Sequence, residues 1–196
     1  MKKFYINICI FLLILFSCTN PFTVREAEQP QSTDNSDTFE TPLSHEKVLT
    51  NLLYAMNQQN PVNYKKCFVN NDSQTSFIFR FIHDINIETG LLNWDVNKEG
   101  QYLENLVAND SLRSINLVFS NNIVYNNITT SIDSVSTEVD YILTVSFRSS
   151  TKVYQGQSTI KLVKDLVSLW YIYFWEDRPA INSAYKTWSF LKQEYQ

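Results

Sequence analysis

The chain has 196 residues, 44% of them hydrophobic and 18% charged, enough to build a core and too apolar for disorder throughout. Three glycines and five prolines exclude collagen-like and glycine-rich architectures and argue against phosphate-cradling glycine loops. Sixteen basic against twenty acidic residues leave a net charge of −4, a poor footprint for nucleic acid.

The N-terminus reads as an address. Lys2 and Lys3 are followed by an apolar run from Ile6 to Phe16, interrupted only by Asn7. About 11 apolar residues are too few to span a bilayer stably, so residues 1–17 read as a signal peptide. Cleavage there removes both lysines and leaves fourteen basic against twenty acidic residues, a charge of −6. Leu15-Phe16-Ser17-Cys18 resembles the lipobox of bacterial lipoproteins, with Phe16 bulkier than the usual small or aliphatic residue. The resemblance implies diacylglyceryl attachment to the Cys18 thiol, cleavage before it, and acylation of the new amino terminus. Several acyl chains hold a protein on a membrane essentially permanently. The expected location is the bacterial cell envelope. Thr19 stands where an inner-membrane retention aspartate would be, so the outer membrane is preferred. With Cys9 lost and Cys18 lipidated, Cys67 is left alone and no intrachain disulfide forms.

Residues 19–43 are rich in Ser, Thr, Gln, Glu, Asn and Pro and carry no apolar period. With Cys18 they read as a lipidated, disordered tether (18–43) that spaces the domain (44–196) roughly 25–30 Å from its anchor.

The domain opens with a helix. Ser44 is placed to cap it, Leu43 and Val48 to staple it, and Val48, Leu49, Leu52, Leu53 and Met56 share a face. Asn60-Pro61 starts a second, short helix whose Tyr64, Cys67 and Phe68 share a face. Thr75 to Ile85 alternates as a strand, with Phe77, Phe79 and Phe81 on one side. Asp95 caps a third helix carrying Tyr102, Leu103, Leu106 and Val107, weakened by Gly100. Ile115, Leu117 and Phe119 mark a further strand, and Asn121 to Asn127 reads as an irregular loop. Val135–Phe147, Val153–Val163 and Val167–Trp175 form an antiparallel meander of three long strands. In the last of them Leu169, Tyr171, Tyr173 and Trp175 face one way and Trp170, Ile172 and Phe174 the other. A strand apolar on both faces needs cover on both. Tyr185, Trp188 and Leu191 mark a short terminal helix.

This order of elements resembles the cone-shaped nuclear transport factor two-like fold, also called SnoaL-like or cystatin-like. Two stretches sharpen the resemblance: Asn60-Pro61 leading into Tyr64-Lys65-Lys66-Cys67-Phe68, and Leu169-Trp170-Tyr171-Ile172-Tyr173-Phe174-Trp175-Glu176-Asp177. Both look like bacterial envelope lipoproteins of unassigned role. The implied fold is α+β, a curved mixed or antiparallel sheet forming a cone with three N-terminal helices packed on it.

Enzymes of this fold place acid–base groups inside the cone, where apolar walls bring a pKa toward neutrality. The chain offers His83, Asp84, Tyr54, Arg80, Asp140, Tyr141 and Arg148. His83 is the one plausible base, and by alternation it faces the Phe77 side while Asp84 points away. The alternative for His83 is a strand-end residue satisfied by solvent or backbone. His45, His83 and Cys67 lack metal-site spacing, and no cofactor motif is present. Cys67, amid apolar neighbours, reads as a core residue. The aromatic stripe reads as core rather than as a platform for flat ligands. Asn71, Asn109 and Asn127 begin Asn-x-Ser/Thr triplets that carry no meaning beside a lipobox. The leading expectation is a non-catalytic, lipid-anchored domain that binds a small apolar or aromatic ligand or an envelope partner through the cone pocket or sheet face. The rivals are a structural homodimer and an isomerase- or cyclase-like enzyme with His83 as base.

Overall fold

A computed structural model describes residues 39–88, 91–119, 123–129 and 133–196. The expected signal peptide, Cys18 and most of the expected tether lie outside them. Of the residues expected in the tether, 39–43 are described, and Phe39 packs against the core. The Asn51 side chain accepts from the Glu40 amide at 3.0 Å and donates to its carbonyl at 2.6 Å. The Trp170 amide donates to the Pro42 carbonyl at 2.9 Å. A buried Asn on the first helix thus pairs with extended backbone as a strand would.

Helix α1 (His45–Asn57) buries Val48, Leu49, Leu52, Ala55 and Met56. Ser44 precedes it in extended conformation but makes no side-chain cap; its hydroxyl serves the Glu46 carboxylate instead, which holds that carboxyl below its ordinary range. Leu43 is 63% exposed, so the staple does not form and Pro42 takes the buried place. Helix α2 (Pro61–Lys66) is capped as expected, the Asn60 side chain accepting from the Asn63 amide at 3.0 Å. Helix α3 (Val96–Val107) is capped by Asp95, whose Oδ1 accepts from the amides of Asn97 and Lys98 at 2.9 Å. The helix runs through Gly100, where a Cβ would lie 3.0 Å from Cδ of the flexible Lys65 side chain.

The sheet runs β1-β6-β5-β4-β2, with β3 also paired to β4. Strands β4 (Ser134–Phe147), β5 (Thr151–Lys164) and β6 (Trp170–Pro179) are the expected meander. Strand β2 (Leu112–Phe119) pairs antiparallel with β4. The stretch expected to be a loop contains a strand, β3 (Tyr125–Thr129), antiparallel to β4. The expected first strand shrinks to β1 (Arg80–Ile82), parallel to β6. Upstream of it the Thr75 hydroxyl accepts from the Phe77 amide at 3.3 Å, a local bond that competes with a ladder.

The last strand corrects a second expectation. Phe174 pairs with Lys161 and Ile172 with Leu162, leaving Tyr173 as an extra residue. This β-bulge shifts the alternation by one. Trp170 and Ile172 are therefore buried together with Trp175 and Asp177, not opposite Trp175. Helix α4 (Trp188–Glu194) closes the chain with Trp188 and Leu191 buried, while Tyr185 is exposed.

The result is a curved six-stranded sheet with helices packed on it, enclosing one hydrophobic cluster. The edge strand β2 is covered at its middle. Asn57 of α1 accepts from the Leu117 amide at 2.6 Å and donates to its carbonyl at 3.3 Å, blocking strand addition there. Among the described residues no helix is long and apolar enough to cross a membrane.

Candidate functional site

The interior between sheet and helices holds a set of ionisable groups that the sequence reading passed over. Glu99 on α3 and Lys192 on α4 are both fully buried. Lys192 Nζ lies 2.7 Å from Glu99 Oε1 and 2.9 Å from Oε2. Each carboxylate oxygen has a second donor: the Tyr64 hydroxyl at 2.5 Å on Oε1 and the Trp94 indole N–H at 2.5 Å on Oε2. A relay continues outward. Trp188 Nε1 donates to the Tyr102 hydroxyl at 3.0 Å, which donates to the Tyr64 hydroxyl at 3.1 Å. Burial pushes the Tyr64 and Tyr102 phenols up, and the nearby Glu99 charge pushes them further.

The Lys192 ammonium is also ringed by aromatic faces. Its Nζ is 3.8 Å from the Phe81 ring centroid and 4.0 Å from that of Trp175, inside the range for cation–π attraction. Burial drives the Lys192 pKa down, while Glu99 and Asp177 oppose the shift.

A second buried group sits at the start of α4. Asp177 Oδ1 accepts from the Tyr141 hydroxyl at 2.6 Å. Its Oδ2 accepts from the Ser189 amide at 2.7 Å and hydroxyl at 2.6 Å. The Tyr141 oxygen in turn accepts from the Trp188 amide at 2.7 Å, so α4 begins with its first amides satisfied by body side chains. Desolvation raises the Asp177 pKa against these hydrogen bonds and Lys192; burial and the Asp177 charge raise that of Tyr141. Room for Tyr141 comes from Gly156 opposite it on β5: a Cβ would fall 2.5 Å from the Tyr141 hydroxyl and 2.6 Å from the Arg178 carbonyl oxygen.

The residues singled out from sequence are placed as follows. His83 follows the end of β1 and is half-buried, its Nδ1 2.9 Å from the Asp84 carbonyl oxygen. Asp84 is the buried member of the two, reversing the expected alternation, because the strand ends at Ile82. Its carboxylate accepts from the Asn86 amide and side chain at 2.9 Å and from the Thr187 hydroxyl at 2.8 Å. Tyr54 is 41% exposed, and Arg80, Asp140 and Arg148 lie at the surface. Two of the seven join the interior network: Tyr141, and Asp84, whose amide donates to the Ser189 hydroxyl at 3.0 Å. His45 stacks edge-on against Tyr125 and Trp170. Cys67 is free and buried, and burial pushes its thiol up, away from reactivity. Among the described residues no three His, Cys, Asp or Glu side chains gather as a metal site. Two clues to the missed pair are in the sequence. Glu99 shares the helical stripe of Tyr102, Leu103 and Leu106, and Lys192 follows Trp188 and Leu191 at the same spacing.

No protein-family model matches the chain and no curated protein matches its sequence. Solved structures do match its fold. One is a candidate scytalone dehydratase from Novosphingobium aromaticivorans, 14% identical, with a TM-score of 0.53 over 69% of this chain and 80% of that one. A nuclear transport factor 2-like superfamily protein from Salmonella enterica is 17% identical, with a TM-score of 0.50 over 70% and 90%. A nuclear transport factor 2-like protein of unknown function in nutrient uptake from Rhodospirillum rubrum is 9% identical, with a TM-score of 0.51 over 70% and 98%. At such identities the likeness is one of fold. The domain has the nuclear transport factor 2-like cone fold, a scaffold that hosts unrelated functions.

Proposed function

We propose that the chain is a lipid-anchored protein of the bacterial cell envelope, tethered through Cys18, whose cone domain is non-catalytic and engages an envelope partner with the outer face of its sheet. The observation that carries this reading is the state of the interior. The interior between sheet and helices is filled by Lys192, Glu99, Trp188 and the rings around them, all buried; Lys192 bonds to Glu99 directly and Trp188 through Tyr102 and Tyr64. Acid–base catalysis needs a group within reach of a substrate proton; Glu99 and Asp177 instead each have several donors from the chain itself. The outer sheet face is available. Val118 and Ile142 are cross-strand neighbours, each 48% exposed, while Asn57 covers the β2 edge beside them. A face rather than an edge is thus the surface for a partner.

Two measurements test the reading. Cys18→Ser leaves the protein unprocessed or released from membranes; a Cys18→Ser protein of mature size still on the membrane refutes the anchor. Native mass spectrometry of residues 39–196 gives the bare protein mass, and a dimer would make the partner a second copy. A reproducible small-molecule adduct would refute the filled interior.

A further inference from the structure

The surroundings of Lys192 have the composition of a binding site for an alkylammonium ion. Phe81 on β1 and Trp175 on β6 present ring faces at 3.8 and 4.0 Å. Glu99 supplies both carboxylate oxygens to the same nitrogen. That carboxylate is held by Tyr64 and Trp94, neither of which belongs to α4, so it is positioned whether or not Lys192 is present. Anchoring donors, aromatic walls and a counter-charge all come from the body of the domain. Only the cation, with Trp188 as a further wall, comes from the last helix. A core that needed volume alone would be served as well by an apolar side chain, since burying an ion pair brings little net stability.

The geometry points to an alkylammonium-binding box in the cone, occupied in cis by Lys192, with the C-terminal helix acting as its tethered ligand. The ligand class follows from the contacts. A primary ammonium donates hydrogen bonds to both oxygens of Glu99 while its remaining surface meets the rings. A quaternary ammonium keeps the ring attraction and loses the hydrogen bonds. Selectivity for a primary amine therefore separates this box from a merely aromatic cavity. The inference goes beyond the proposed function: it concerns what the interior recognises, and stands whether the sheet face binds a partner or a second copy.

The test deletes the occupant and returns it in trans. Lys192→Ala removes Cγ, Cδ, Cε and Nζ, a fragment equal to n-propylammonium. The full chain carrying Lys192→Ala, in detergent, is melted against n-propylammonium chloride, with sodium chloride holding ionic strength constant. The expected result is a melting temperature that rises with n-propylammonium by about 5–10 °C once the ligand exceeds its Kd a hundredfold. The unsubstituted chain shows no such rise, and tetramethylammonium and n-propanol give much smaller ones. Glu99→Gln added to Lys192→Ala abolishes the response. A folded Lys192→Ala protein that does not respond, or responds equally to n-propanol, overturns the inference. Should Lys192→Ala be unfolded in buffer, recovery of near-ultraviolet circular dichroism with n-propylammonium supports the box, and failure to recover overturns it. Lys192→Met provides a second check, because a Met variant as stable as the native chain would mean the box is indifferent to charge.

Discussion

Glu99→Gln is the most informative single change in the domain. Glu99 is fully buried and its two oxygens receive four donor contacts, two from Lys192 and one each from Tyr64 and Trp94. The amide keeps the shape but offers one acceptor oxygen. Its NH₂ group must face either the Trp94 N–H, donor against donor, or the Tyr64 hydroxyl, which must then turn from donor to acceptor, and in both cases it also points a donor at the Lys192 ammonium. Lys192 is left buried without the carboxylate it touches, the circumstance in which breaking a buried pair costs ~3–5 kcal/mol. For a domain of this size the melting temperature falls by about 2–4 °C per kcal/mol, so the loss is on the order of 6–20 °C. Lys192→Met removes the other partner and strands the carboxylate, with a similar cost. The combined Glu99→Gln, Lys192→Met protein removes both charges and therefore costs well below the sum, with a coupling on the order of 1–3 kcal/mol. Urea titration of the four proteins measures this as midpoint shifts at constant slope. Single substitutions costing less than ~1 kcal/mol, or a double whose cost equals the sum, would refute the claim that the pair is a desolvated unit.

Other perturbations have equally definite outcomes. Gly156→Ala drives a methyl group against the Tyr141 hydroxyl and the Arg178 carbonyl, and overpacking of this kind costs about 1–3 kcal/mol, read as a lowered urea midpoint. Asn60→Ala removes the α2 cap and lowers stability by about 1 kcal/mol in the same titration. Asp177 has a raised pKa in the folded state. As pH falls from above that value toward 3.8, the native state binds the extra proton first, so this residue's contribution to stability grows. The stability difference between the native chain and Asp177→Asn should accordingly shift in favour of the native chain on acidification through that window, as measured by urea midpoints at each pH. Tyr64, Tyr102 and Tyr141 keep their protons above the ordinary tyrosine range while the unfolded chain loses its own near pH 10. Stability should fall above pH 10. Lys192, with a lowered pKa, acts in the opposite direction below about 10.5, but one lysine is opposed by three phenols. A flat midpoint between pH 9.5 and 11 would contradict their burial.

How much of this was legible in the sequence depended on whether the signal was local. Asn60-Pro61 and Asp95 announced α2 and α3 because a cap is a contact within three residues, and the structure has both. The meander was legible from its long alternation. What failed was non-local. The bulge at Tyr173 changes the phase of β6 through its pairing with β5, and a strict period of two carried past it put Trp175 on the wrong side. β1 was overdrawn because alternation at Phe77 persists where the ladder does not. β3, in a run rich in Asn, owes its form to the neighbouring β4. The interior pair was missed for a different reason. A charged residue on an apolar helical stripe looks like an imperfection when each helix is read alone. It becomes an instruction only when a second stripe carries the opposite charge, as Glu99 and Lys192 do.

That pairing also bears on His83. A catalytic cone needs an ionisable group facing an opening, with part of its hydrogen-bonding capacity left for substrate. In this domain the buried carboxylates of Glu99, Asp177 and Asp84 are directed at Lys192, at Ser189 and at Thr187. All three partners belong to α4 or to the residue that immediately precedes it. The ionisable groups of the interior are thus spent on holding the C-terminal helix in place. His83 is bound to the carbonyl of its neighbour at the end of a three-residue strand, and none of these carboxylates contacts its ring in that arrangement. A substrate reaching Glu99 would have to displace Lys192 and, with it, the bonds from Trp188 and Ser189 to Tyr141 and Asp177. Opening the cone therefore means undocking its last helix.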